Sequence, residues 1–103
     1  MTREEAERAL ALCREQIDEI DRRILALLNE RTRVVEEIGR VKKEQCLPIY
    51  EPRREDEVFR NVVSNNRGPI TEEALRRIYE RILDEMRTLQ RMRNEDRGGP
   101  GES

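Results

Sequence analysis

From Arg3 to Lys43 the apolar residues recur in steps of three and four, at Leu10, Cys13, Ile17, Ile20, Ile24, Leu27, Val34, Ile38 and Val41. Arg31 is the one polar interruption of that seam. The stretch has no proline and one glycine, Gly39, and is otherwise rich in Ala, Leu, Glu, Arg and Ile, so a single long helix is predicted over residues 1–43. About forty residues make a rod of roughly 60 Å, about twice the width of a small domain. One short chain cannot cover such a seam, and a partner chain is expected to supply the missing burial.

The pattern changes at Glu44-Gln45-Cys46-Leu47-Pro48, where the proline disfavours helix at Leu47. A connector, Pro48-Ile49-Tyr50-Glu51, leads to Pro52, which suits the first turn of a second helix with Glu55, Asp56 and Glu57 set against its dipole. Val58, Phe59, Val62 and Val63 form the apolar face of that helix, and Glu55 shares it, so a carboxylate is aimed inward. Turn-forming residues 64–69 separate it from a third helix, N-capped by Thr71 and striped by Leu75, Ile78, Tyr79, Ile82, Met86 and Leu89, with Gln90 beside the stripe. The expected architecture is all-α: three helices, one very long, one short and one medium, forming a domain over residues 1–95. Residues 96–103 read as a disordered tail.

Composition narrows the chemistry. Apolar residues are 35% and charged residues 43% of the 103, so the core must be stripes on helices rather than a thick centre. With 21 basic and 23 acidic residues the net charge is −2, which gives no general attraction to nucleic acid or to an anionic membrane. There is no signal-peptide run and no segment able to span a bilayer, so a cytoplasmic location is expected. Cys13 and Cys46 have neither metal-type nor redox spacing, and Cys13 on the seam reads as a small core residue. The absence of histidine removes the commonest general base and the commonest metal ligand, and no metal site is expected.

Several polar residues stand on or near apolar faces. Arg31 needs a carboxylate, from a ligand or from an internal ion pair with a residue such as Glu55. Lys42, eleven residues on, lies close to the same side, and the two cations suit a small dianion between them. Arg14 is about 25 Å from Arg31 along one rod, within reach only of a partner's site in an antiparallel pair. Arg53 and Arg54 occupy a helix N-terminal turn where cations are mildly unfavourable, a hint of another use. Gln90 is an uncharged donor. Such a pocket has cations, one inward carboxylate and one amide but no activated nucleophile. It is poorly suited to hydrolysis or group transfer, and well suited to holding a polyanion in a reactive shape while stabilising charge developing on an oxygen.

The runs Arg14-Glu15-Gln16-Ile17-Asp18, Leu27-Leu28-Asn29-Glu30-Arg31, Ile38-Gly39-Arg40-Val41-Lys42, Pro48-Ile49-Tyr50-Glu51-Pro52-Arg53-Arg54-Glu55 and Leu89-Gln90 resemble the all-α chorismate mutase family over about residues 6–92. The resemblance implies an intertwined homodimer that rearranges chorismate to prephenate without a cofactor. It further implies that Arg31 and the Arg14 of a second subunit bind the substrate carboxylates, with Arg54 adding positive charge. Lys42 and Gln90 would then hydrogen-bond the breaking ether oxygen, and Glu55 would accept from the ring hydroxyl. Glu51 stands where the family often has aspartate. Met86 replaces a small or hydroxylated residue common among relatives, which points to one substrate hydrogen bond fewer and a tighter pocket. Some relatives are fused to, or regulated by, the first enzyme of the shikimate pathway. No such fusion is expected within this chain, and a non-covalent partnership stays open. Two rival readings are an isochorismate pyruvate-lyase of the same fold and a non-enzymatic helical dimerisation module.

Overall fold

The computed structural model describes residues 1–97, with side chains through 95; of the tail expected over residues 96–103, residues 96 and 97 instead continue the third helix, and the rest lies outside the described residues. Three helices make up the described residues: α1 over Arg3–Glu44, α2 over Pro52–Asn65 and α3 over Glu72–Arg97. Their starts are chemically marked. Thr2 Oγ1 accepts from the Glu5 N–H at 3.1 Å, Pro52 opens α2, and Thr71 Oγ1 accepts from the Ala74 N–H at 3.2 Å.

Compactness divides the chain into two units, Met1–Arg33 and Val34–Ser103. The first is a stretch of single helix, and a lone helix has nothing within itself to bury a seam against. Leu10, Ile17, Ile20, Ile24 and Leu27 are therefore exposed, Leu27 at 62%. Cys13, expected as a core residue, is exposed as well.

In the second unit α2 packs on α3. Val58, Phe59, Val62 and Val63 are half-buried on α2, and Leu75, Tyr79, Ile82, Met86 and Leu89 are half-buried on α3. Leu83 is buried, while Ile78, expected in the stripe, is exposed. The face that turns inward on α3 thus runs Leu75-Tyr79-Leu83-Met86-Gln90, and Ile78 falls outside it. The Arg76 guanidinium lies over the Phe59 ring at 6.0 Å, a weak additional tie between the two helices.

The C-terminal part of α1 meets α3 through a face that the seam does not contain. Val35, Gly39 and Lys42 are its buried residues, spaced by four and three, whereas Val34, Ile38 and Val41 are exposed. Ion pairs and hydrogen bonds line the contact: Arg93 to Glu36 at 2.8 Å, and Lys43 Nζ to the Asn94 carbonyl at 3.1 Å. On the outer side Arg40 bridges Glu37 and Glu44, whose hydrogen bonds and charge raise its pKa above the ordinary arginine value, Glu37 contributing most.

Candidate active site

The site is built where α1 ends. Leu47 N–H donates to the Lys42 carbonyl at 2.8 Å and Cys46 N–H to the Lys43 carbonyl at 3.3 Å, with Cys46 at φ 56°. This is a Schellman closure, with a cysteine in the left-handed position usually taken by glycine. The turn carries the chain back along α1, so that the connector faces the side chain of Lys42.

Lys42 is buried, at 8% exposure, and its ammonium is fully engaged. Nζ donates to the Ile49 carbonyl at 2.8 Å and to Gln90 Oε1 at 3.3 Å, and pairs with Glu51 Oε1 at 2.7 Å. An ammonium has three protons, and here three acceptors meet it. A buried cation without such partners would cost several kcal/mol, on the order expected for an uncompensated buried charge.

Gln90, at 7% exposure, comes from the facing side of α3. Because its Oε1 accepts from Lys42, its NH2 group is a donor directed by the same contact. The two helices approach closely here: a β-carbon on Gly39 would stand 3.3 Å from Gln90 Cγ. Glycine leaves Gln90 the room to lie against α1.

Glu55 is partly buried on α2, with 19% side-chain exposure, as its place on the apolar face predicts. Its partner within the chain is Arg87, not Arg31. Arg87 Nε lies 2.7 Å from Glu55 Oε2, yet the Nε–H is buried without a hydrogen-bond acceptor. The two groups are close but the N–H direction is off line, so the pair is held by charge rather than by a directed hydrogen bond. Arg87 Nη2 donates to Asp84 at 2.7 Å, and the Tyr50 ring covers the guanidinium at 5.3 Å. The connector therefore serves both pairs: Ile49 and Glu51 hold Lys42, and Tyr50 between them holds Arg87.

Of the residues singled out from the sequence, Lys42, Glu51 and Gln90 are brought together, and Glu55 joins the same unit through Arg87. Met86 is half-buried four residues before Gln90, while Arg53 and Arg54 are exposed at the start of α2. Arg14 and Arg31 belong to the Met1–Arg33 unit, where Arg14 is exposed and Arg31 half-buried. Arg87 and Tyr50 were not predicted. Arg87 carries a faint signal, since it stands between Met86 and Gln90 on the buried side of α3. Among the described residues no group of His, Cys, Asp and Glu is arranged to hold a metal ion, and no helix is long and apolar enough to cross a membrane.

The sequence profile described as chorismate mutase type II matches residues 13–91. The chain belongs to the type II chorismate mutase family. Among solved chorismate mutases, the form II structure from Thermus thermophilus superposes with a TM-score of 0.77 at 39% identity, over 82% of this chain and 94% of that one. A bifunctional chorismate mutase/prephenate dehydratase of Aquifex aeolicus is 39% identical over 82 residues, which are 76% of this chain and 23% of that protein. The chorismate mutase of Methanocaldococcus jannaschii is 38% identical over 50 residues, 48% of this chain and 50% of that protein. This chorismate mutase-family chain thus spans about a quarter of the length of the bifunctional relative.

Proposed function

We propose that the chain converts chorismate to prephenate, the rearrangement that leads toward phenylalanine and tyrosine, in the cytoplasm and without a cofactor. The observation that carries this reading is the buried Lys42 ammonium with the Gln90 amide beside it. In the rearrangement the ether C–O bond breaks as a new C–C bond forms within one molecule. No proton, electron pair or group is exchanged with the protein. What the protein supplies is a folded conformation of the substrate and donors already aimed at the ether oxygen, where negative charge grows. Lys42 gives one such donor and the Gln90 NH2 group the other. The 3.3 Å bond to Gln90 is the longest of the three that Lys42 makes, so it is the one most readily exchanged for the ether oxygen. Glu51 orients Lys42, and Glu55 accepts from the ring hydroxyl.

A second copy of this chain is the partner assigned to the exposed seam from Leu10 to Val41. Leu10, Ile17, Ile20, Ile24, Leu27, Val34, Ile38 and Val41 form more exposed apolar surface in a row than a stable monomer usually carries. In that dimer Arg31 and the Arg14 of the second subunit bind the substrate's carboxylates, Arg54 adds positive charge, and Met86 borders the pocket. A shikimate-pathway enzyme bound non-covalently is a further partner in this reading, on the family resemblance alone.

The test is the loss of chorismate's ultraviolet absorbance on addition of purified protein, followed by acid conversion of the product to phenylpyruvate. Consumption with phenylpyruvate formation is expected. Release of pyruvate and salicylate from isochorismate, with chorismate untouched, would overturn the reading in favour of a lyase. Sedimentation is expected to give twice the chain mass.

A further inference from the structure

Arg87 belongs to none of the substrate contacts named above, yet its guanidinium group meets three side chains, Glu55, Asp84 and Tyr50. It is 24% exposed, donates through Nη2 to Asp84 one turn earlier on its own helix, and is covered on one face by Tyr50. Those two neighbours contact the guanidinium independently of Glu55. Glu55, with rotatable bonds of its own and on a different helix, has Oε2 2.7 Å from Arg87 Nε. Beside this contact the arginine has two further contacts of its own, which tie it to its own helix and to the connector.

We propose that Arg87 is a positioning residue for the reaction: it holds one carboxylate oxygen of Glu55 so that the other faces the ring hydroxyl of the bound substrate. The proposal rests on the reading of Glu55 as a substrate contact. Arg87 stands three residues before Gln90 on the same helix, so the acceptor for the hydroxyl and the donor for the ether oxygen are set by a single rigid element. A small error in where the acceptor lies changes the orientation of the whole ring, and orientation is what a unimolecular rearrangement depends on. Tyr50 links the two halves of the device, because the residues on either side of it hold Lys42.

A purely structural role, in which the ion pair only ties α2 to α3, makes different predictions. The experiment compares Arg87→Met, Arg87→Lys, Glu55→Gln and the double variant Glu55→Gln/Arg87→Met, with kcat, KM and thermal midpoint measured for each. On the proposal, Arg87→Met lowers kcat/KM about tenfold or more while the helical circular dichroism is kept, and Arg87→Lys restores part of the loss. In the Glu55→Gln background the Arg87→Met change has little further effect, because both act through one contact. Should Arg87→Met fail to fold, the double variant, which leaves no unpaired carboxylate, and Arg87→Lys still decide. Wild-type kinetics in Arg87→Met with a lowered midpoint would overturn the positioning role, as would equal losses in both backgrounds. If Glu55→Gln keeps the wild-type kcat/KM, the reading of Glu55 fails and the proposal with it; if Glu55→Gln is impaired and Arg87→Met is not, the proposal alone fails.

Discussion

Gly39 and Gln90 touch across the α1–α3 interface so closely that a β-carbon on the glycine would stand 3.3 Å from Gln90 Cγ. That separation is tighter than ordinary contact. The neighbour is a flexible side chain, so it can yield by a few tenths of an ångström, and the yield moves the amide that meets Lys42. Gly39→Ala also gains up to about 1 kcal/mol of helix propensity. The expected outcome is a thermal midpoint unchanged or slightly raised together with a fall of about tenfold in kcat/KM. Unchanged kinetics would mean that the Gln90 position is not critical.

Lys42→Ala and Gln90→Ala each remove a donor fixed before the substrate arrives. Both are expected to lower kcat by about 30- to 1,000-fold, equivalent to about 2 to 4 kcal/mol of barrier, with the helical content retained. Steady-state kinetics and circular dichroism check this. Wild-type rates in both variants would remove the assignment of the ether-oxygen donors.

Cys46 occupies the left-handed position of the Schellman turn with φ 56°. A side chain there is strained, and glycine is not. Cys46→Gly is expected to stabilise the fold by about 0.5 to 1 kcal/mol, a rise of a few degrees in thermal midpoint, with activity unaffected. A lower midpoint would show that the unfolded-state freedom of glycine outweighs the relief of strain.

Arg14 and Lys42 are assigned to opposite ends of a shared arrangement. Mixing Arg14→Ala subunits with Lys42→Ala subunits, each inactive alone, is expected to return part of the activity, because some mixed dimers carry one intact site. Subunit exchange verified by mass spectrometry with no return of activity would refute sharing between subunits.

The order and kind of the helices were legible because their apolar residues repeat with the helical period and their caps, Thr71 and Pro52, are residues whose chemistry suits a helix start. The inward carboxylate of Glu55 was legible for the same reason. What periodicity did not reveal is the second face of α1. Counting large apolar residues selects Val34, Ile38 and Val41, which are exposed, and passes over Val35, Gly39 and Lys42, which are buried. A glycine and a lysine look like gaps in a hydrophobic pattern until the helix that packs on them is known. Arg87 was hidden differently. It is one of several arginines on a strongly charged helix, and only its neighbours in space, Glu55 and Tyr50, set it apart.

Surface connectors ordinarily accept insertions and deletions. The segment between α1 and α2 has lost that freedom, because its consecutive residues Ile49, Tyr50 and Glu51 hold a lysine on one helix and an arginine on another. Adding or removing one residue displaces the chain by up to about 3.5 Å, more than the whole length of a hydrogen bond. The count of residues from Cys46 to Pro52 is thus a ruler for the pocket: in a relative whose connector differs in length, the same lysine needs a different set of acceptors.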